Sequence, residues 1–244
     1  MLRVDDLDRA RVRSEYVEDI FETLSYLGLP WDEGPADYEA YASVYSQVHR
    51  LKLYRDALEQ LRAQGAVFAC DCSRSKLLRD HPDGVYTGRC KHRSLPLDGK
   101  GYCWRINTDR ADLPAPMQYF IVRKKDGMPA YQLASLVDDR HFGVDLIVRG
   151  EDLWASTRAQ IFLAQVLGYE RFHRASFVHH VLLAGAAGEK LSKSAGATSI
   201  RYLRDNGYTS ADIYGMIGTM AGLPTPISTW ADLASLVSVF ILPI

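Results

Sequence analysis

The sequence predicts an α/β fold carrying a β-rich insertion. Three observations predict it. Apolar residues recur at helical spacing in several segments, and short strand-like runs fall between them. Over about 67–126 the texture changes to short strands, cysteines, Gly and Pro. Helices alternating with strands point to a sheet covered by helices. The chain has 244 residues, enough to bury a sizeable core as one large domain or two small ones. It shows no internal repeat and no low-complexity tract.

In chain order, Val17, Ile20, Phe21, Leu24 and Leu27 follow helical spacing, and Gly28, Leu29 and Pro30 close that helix. Gly34 and Pro35 open a loop. A second amphipathic helix carries Val48, Leu51, Leu58 and Leu61 and stops at Gly65. Strands are predicted over 102–106 and 119–122 within the insertion, and strand-like runs return over 131–137 and 146–148. A helix follows over about 156–167 with Gly168 just past it. Thr209, three residues before Asp212, suits a helix start, with Ile213, Met216, Ile217 and Met220 as its buried stripe.

Composition excludes several classes of protein. Apolar residues make up 47% and charged residues 24%, which separates the chain from disordered sequences. The longest apolar run, over 234–244, is broken by serines and falls short of a membrane span. The start is charged from Arg3 onward and has no apolar signal core, which predicts a cytoplasmic chain. A net charge of -1 excludes polyanion binding by bulk charge. It leaves room for a local basic face, and Arg74, Lys76, Arg79, Arg89, Lys91, His92 and Arg93 gather around the cysteines. That cluster is either a solvated loop or a contact for an RNA backbone.

Two motifs carry chemistry. Cys70 and Cys72 are followed by Cys90, and three soft thiolates close together suit a tetrahedral zinc. Cys103, Tyr86, His81 and His92 compete for the fourth position, and three structural thiols without metal are the alternative. Such a zinc would be structural, since no nearby residue resembles a base for a bound water. The second motif is Lys190, Leu191, Ser192, Lys193 and Ser194, flanked by Gly188 and Gly196. Two ammonium groups among small hydroxyl residues suit a polyphosphate; a solvated lysine loop is the alternative.

The segment from Lys190 to Ser194 resembles the second signature of class I aminoacyl-tRNA synthetases. Leu2-Arg-Val-Asp-Asp-Leu-Asp8, Leu27-Gly-Leu-Pro-Trp-Asp-Glu-Gly34, Ala130-Tyr-Gln-Leu-Ala134 with Val137-Asp-Asp139, and Val148-Arg-Gly-Glu-Asp-Leu153 recur in that order in glutamyl-tRNA synthetases. The cysteine element with Tyr86 looks most like the short branch, the glutamyl-Q-tRNA(Asp) synthetases. The resemblance runs from Leu2 to about Gly222. It implies a Rossmann-like class I core over 1–222, the zinc-containing insertion at about 67–126, and a tail over 223–244 with no assignment. The family's first strand and its His-x-Gly-His phosphate loop have no counterpart in the sequence.

By that resemblance, the activity is ATP-dependent activation of glutamate, with Mg accompanying ATP, and transfer to tRNA by a monomer. In the short branch the acceptor is the queuosine base of tRNA(Asp). Lys190 and Lys193 are the implied catalytic residues, within an ATP-binding segment of Lys190, Leu191, Ser192, Lys193 and Ser194. Asp5, Tyr131 and Arg149 are the implied glutamate contacts, and Cys70, Cys72, Tyr86 and Cys90 the implied zinc ligands, which promotes Tyr86 over Cys103.

The chemistry of the residues agrees, since a planar guanidinium at Arg149 can pair both oxygens of a carboxylate. Its plainer reading is a surface salt bridge to Glu151 or Asp152, and the plainer reading of Tyr131 is a core aromatic. Three departures stand out. Asp5 replaces the family's usual Glu and reaches about one methylene less far. Ser135 replaces a frequent Asn, and the stretch between Ile106 and Phe120 is short. His141-Phe-Gly143 resembles the missing phosphate loop only superficially, because it leads into a strand. Without that loop, the chain is expected to bind ATP weakly and form adenylate slowly. Two alternatives are a truncated synthetase charging tRNA(Glu) and a non-catalytic glutamate- or RNA-binding relic.

Overall fold

The computed structural model describes residues 1–182, 199–223 and 226–236, with the backbone of Leu242 and Pro243. Along the chain run α1 (Ser14–Tyr26), α2 (Tyr38–Ala40), α3 (Leu51–Ala63), β1 (Val67–Cys70), α4 (Arg74–Asp80), β2 (Cys103–Ile106), β3 (Ile121–Arg123), α5 (Tyr131–His141), β4 (Leu146–Gly150), α6 (Trp154–Leu167), α7 (Glu170–His173), β5 (Ser176–His180), α8 (Ile200–Asp205), α9 (Ser210–Met220) and α10 (Trp230–Leu236). They group into two compact units: Met1–His49 with His180–Pro243, and Arg50–His179. No helix among the described residues is long and apolar enough to cross a membrane.

In the second unit, β1, β2 and β3 form an antiparallel sheet in that order. Val67 faces Ile106 and Cys70 faces Cys103, so the register places two of the four cysteines side by side. This sheet lies inside the stretch where the sequence changes texture. β4 and β5 are neighbours in a separate sheet. α3, α5 and α6 pack on one another and bury Tyr54, Leu61, Leu133, Leu136 and Leu163. α6 ends where Gly168 adopts φ 69°, the left-handed turn that glycine allows at a helix end.

Two expectations are corrected here. The run over 131–137 is the first part of helix α5, where the sequence reads as a strand. Residues Gln132 through Asp139 are all buried, so the helix has no polar face and no 3.6-residue period to reveal it. The stripe of α9 is also rotated from the expected one. Ile213, Tyr214 and Gly218 face the first unit's core with Leu27, Leu203 and Ile227, whereas Met216 and Met220 are exposed. Tyr214 fixes the rotation by donating to the Leu27 carbonyl at 2.8 Å. A Cβ on Gly218 would come within 2.9 Å of Ile227 Cδ1, so glycine permits the close approach. The start at Thr209 is a full capping box with Asp212, as the sequence predicts.

Candidate functional site

The lysine motif, Lys190, Leu191, Ser192, Lys193 and Ser194, lies outside the described residues. Of the other candidates, Asp5 belongs to the first unit, while Tyr131, Arg149, Cys70, Cys72, Tyr86 and Cys90 belong to the second.

The cysteine cluster is built by the end of β1 and the loop after α4. Cys70, Cys72 and Cys90 are buried, and their three sulfurs lie within 4.8 Å of one another. Cys72 Sγ and Cys90 Sγ are 3.6 Å apart. Zinc–sulfur bonds of about 2.3 Å in a tetrahedron require sulfurs roughly 3.8 Å apart, so the donor set fits a tetrahedral cation. The Tyr86 hydroxyl accepts from the Cys90 amide at 2.9 Å, and its ring is wedged between Phe68 and the Arg105 guanidinium. Gly88, at φ 81°, lets the loop close, because a Cβ there would strike the Tyr119 ring at 2.9 Å.

Cys103 stands apart from the three-thiol group and donates to the Cys70 carbonyl at 3.4 Å. A hydrogen bond from Cys103 pulls the Cys70 thiol down to about 4, while burial pushes Cys72 up to about 12 and raises Tyr86 well above the usual phenol range. Among the described residues the four cysteines are free thiols.

The basic stretch beside the cluster is less available than its sequence implies. Arg89 pairs with Asp80, Lys91 with Asp109, and Arg93 with Asp71 at 2.7 Å. Asp71 also accepts from the Cys90 thiol, so the Arg93 pair braces the cysteine loop from outside. Acidic residues scattered through the insertion thus neutralise part of the expected basic face.

Arg149 is buried, and that corrects the surface-salt-bridge reading. β4 alternates exposed and buried residues, which turns Leu146 and Val148 outward and Ile147 and Arg149 inward. The partner is Asp139 of α5, with Nη2 lying 3.5 Å from its Oδ2. Nη1 donates to Thr157 Oγ1 of α6 at 3.2 Å, and Thr157 Oγ1 lies 3.0 Å from His179 Nε2 of β5. Asp139, Thr157 and His179 escape the sequence reading; the acidic doublet Asp138-Asp139 is the signal that could have found the first.

Asp138, the neighbour on α5, belongs to a different network. It accepts from Arg50 Nε at 2.7 Å and Nη2 at 3.1 Å, and from the Tyr54 hydroxyl at 2.7 Å, joining α3 to α5 inside the core. Tyr131 opens α5 and is 44% exposed, so the core-aromatic reading fails and its hydroxyl and ring face outward.

Asp5 lies before α1, outside any helix or strand. Its carboxylate accepts from Arg3 Nε at 2.9 Å and from Gln47 Nε2 at 3.5 Å. The buried Asp6 beside it accepts from the Tyr41 and Ser46 hydroxyls, from the Gln47 amide at 2.8 Å and from Arg9 at 3.0 Å. Gln47 Oε1 in return accepts from the amides of Asp6 and Leu7. Gln47 and Asp6 therefore hold the backbone that presents Asp5, a role not visible from the sequence.

Residues 1–95 and 103–225 match the family described as tRNA synthetases class I (E and Q), catalytic domain. The glutamyl-Q tRNA(Asp) synthetase of Symbiobacterium thermophilum is 34% identical, over 93% of this chain and 78% of that protein. The protein of the same name from Nitratidesulfovibrio vulgaris is also 34% identical, over 91% of this chain and 76% of its own length. A glutamate–tRNA ligase of Dehalococcoides mccartyi is 35% identical over 85% of this chain, which spans 46% of the ligase. The crystal structure of glutamate-tRNA synthetase from Elizabethkingia anophelis shares the fold, with a TM-score of 0.68 at 21% identity. That match covers 90% of this chain and 54% of the solved one.

Proposed function

This chain belongs to the class I tRNA synthetases (E and Q) through their catalytic domain, and from that premise we propose that it activates glutamate with ATP and passes it to tRNA. The acceptor we favour is the queuosine base of tRNA(Asp), because relatives that match over 91% and 93% of this chain are glutamyl-Q tRNA(Asp) synthetases. The observation that carries the reading is the buried Arg149, a fixed cation of the right geometry for a side-chain carboxylate. In the proposed reaction an α-carboxylate oxygen of glutamate attacks the α-phosphorus of ATP in line, and pyrophosphate leaves to give glutamyl adenylate. Lys190 and Lys193 stabilise the phosphate charge and Mg accompanies ATP; the family resemblance assigns Tyr131 and Asp5 to glutamate as well.

Cys70, Cys72, Cys90 and Tyr86 would hold a structural zinc that ties the loop after α4 to β1. Protein purified without chelator is expected to contain about one zinc per chain by elemental analysis; a metal-free result removes this assignment.

Calorimetry with glutamate and glutamine tests the pocket. Glutamate is expected to bind, glutamine to bind more weakly, and Arg149→Ala to cost about 2 kcal/mol of glutamate affinity. Absence of glutamate binding overturns the reading. Transfer of labelled glutamate to queuosine-containing tRNA(Asp) rather than to tRNA(Glu) tests the acceptor, and preferential charging of tRNA(Glu) would replace it.

A further inference from the structure

We propose that Asp139 is a positioning residue for glutamate recognition, acting through Arg149; the inference rests on the glutamate reading above. Arg149 sits on a long stem whose freedom must be removed before its fork can read a carboxylate. The structure flanks the guanidinium at both terminal nitrogens: Asp139 Oδ2 forms an ion pair with Nη2 at 3.5 Å, and Thr157 Oγ1 accepts a hydrogen bond from Nη1 at 3.2 Å. His179 in turn lies within hydrogen-bond distance of the Thr157 hydroxyl. All four groups are buried, and they come from four different elements, α5, β4, α6 and β5. The clamp is therefore set by the packing of the unit and not by one flexible loop.

The neighbouring pair supplies the contrast that separates positioning from bracing. Asp138 closes on Arg50 through two short hydrogen bonds, the geometry of a pair built to join two helices. Asp139 Oδ2 stands farther from its arginine, 3.5 Å from Arg149 Nη2, and Thr157 takes Nη1 of the same guanidinium. Charge alone gives Asp139 the opposite effect, since a resident carboxylate repels an incoming one. The sign of a charge-neutral substitution therefore discriminates. Loss of positioning weakens glutamate binding, and loss of repulsion strengthens it.

The experiment is calorimetric titration of the full chain with glutamate and, separately, with ATP. Asp139→Asn is expected to raise the glutamate Kd about tenfold, within the range for directly coupled neighbours, and to leave ATP affinity unchanged. Introduced into Arg149→Lys, which keeps the charge but loses the fork, it is expected to add almost nothing. Thr157→Val, which removes the other grip, is expected to weaken glutamate binding in the same selective way, and it carries the test should Asp139→Asn not fold. Unchanged or tighter glutamate binding, additivity with Arg149→Lys, or parallel loss of ATP affinity overturns the inference. Wild-type protein that binds glutamate while Asp139→Asn behaves identically sinks only this inference. Wild-type protein that does not bind glutamate sinks the functional reading and this inference together.

Discussion

Two pairs of adjacent aspartates, Asp5-Asp6 in the first unit and Asp138-Asp139 in the second, solve the same problem differently. In each pair one carboxylate closes a buried network; of the other two, Asp5 pairs with Arg3 and Asp139 with Arg149. Asp5 and Asp6 lie in a loop outside any helix or strand, where no regular periodicity ties one side chain's burial to the next. Asp6 is fully enclosed while Asp5 keeps 37% of its side chain exposed. Asp138 and Asp139 lie on a helix buried all round, where consecutive residues are only about 100° apart. Both are enclosed, so both need a cation, and each has its own: Arg50 for Asp138 and Arg149 for Asp139. The difference teaches that an acidic doublet in a loop can leave one member to solvent, whereas on a buried helix it obliges the protein to bury two arginines.

Substitution at each of the four positions breaks or sharpens that comparison. The largest effect is expected at Asp138. Asp138→Ala strands Arg50 and the Tyr54 hydroxyl in the core and should cost about 3–5 kcal/mol in denaturant unfolding. A loss like that of an exposed residue would show that the helix doublet is not obliged to pair.

Asp6→Ala comes next, leaving several buried donors without their acceptor, at about 2–4 kcal/mol. Its contribution has a pH signature. Burial and the hydrogen bond to Asp6 push the Tyr41 hydroxyl up to about 12. A raised folded-state value means that the stability from this contact is complete below the unfolded tyrosine value of about 10. It is then lost as the pH rises through the folded value. The gap between wild type and Tyr41→Phe in alkaline unfolding is expected to close over that window.

Asp139→Asn is expected to cost about 1–2 kcal/mol of stability, less than Asp138→Ala, because it removes an ion pair 3.5 Å long while the Thr157 hydroxyl keeps its hydrogen bond from Arg149. Asp5→Asn, half open to water, is expected to stay within about 0.5 kcal/mol of wild type. Equal losses at Asp5 and Asp6 would erase the loop-doublet half of the comparison.

Much of this was legible in the sequence, and the parts that were not share a cause. α1, α3 and α6 carry apolar residues at helical spacing with glycine stops, and the structure forms them close to the predicted bounds. The cysteine cluster was legible because its three thiols sit within one short stretch that a tight loop brings together. α5 was misread because enclosure on every side removes the polar residues that mark a helical period. The charge balance of the basic loop was not legible because Asp80, Asp71 and Asp109 are brought against it by folding.

The sequence by itself determined what short-range physics controls: helix ends at Gly28 and Gly168, the Thr209 cap, the spacing of the thiols, and the ordered motifs that mark the family. Each depends on a few consecutive residues, whose backbone preferences and hydrogen bonds act locally. Only the tertiary structure decided which charge answers which. It turned Arg149 inward, where Asp139 of a different element meets it. It likewise joined Arg50 to Asp138 across 88 positions. A buried charge takes the partner that shares its desolvated space, and that space exists only once helices and strands distant in sequence have packed.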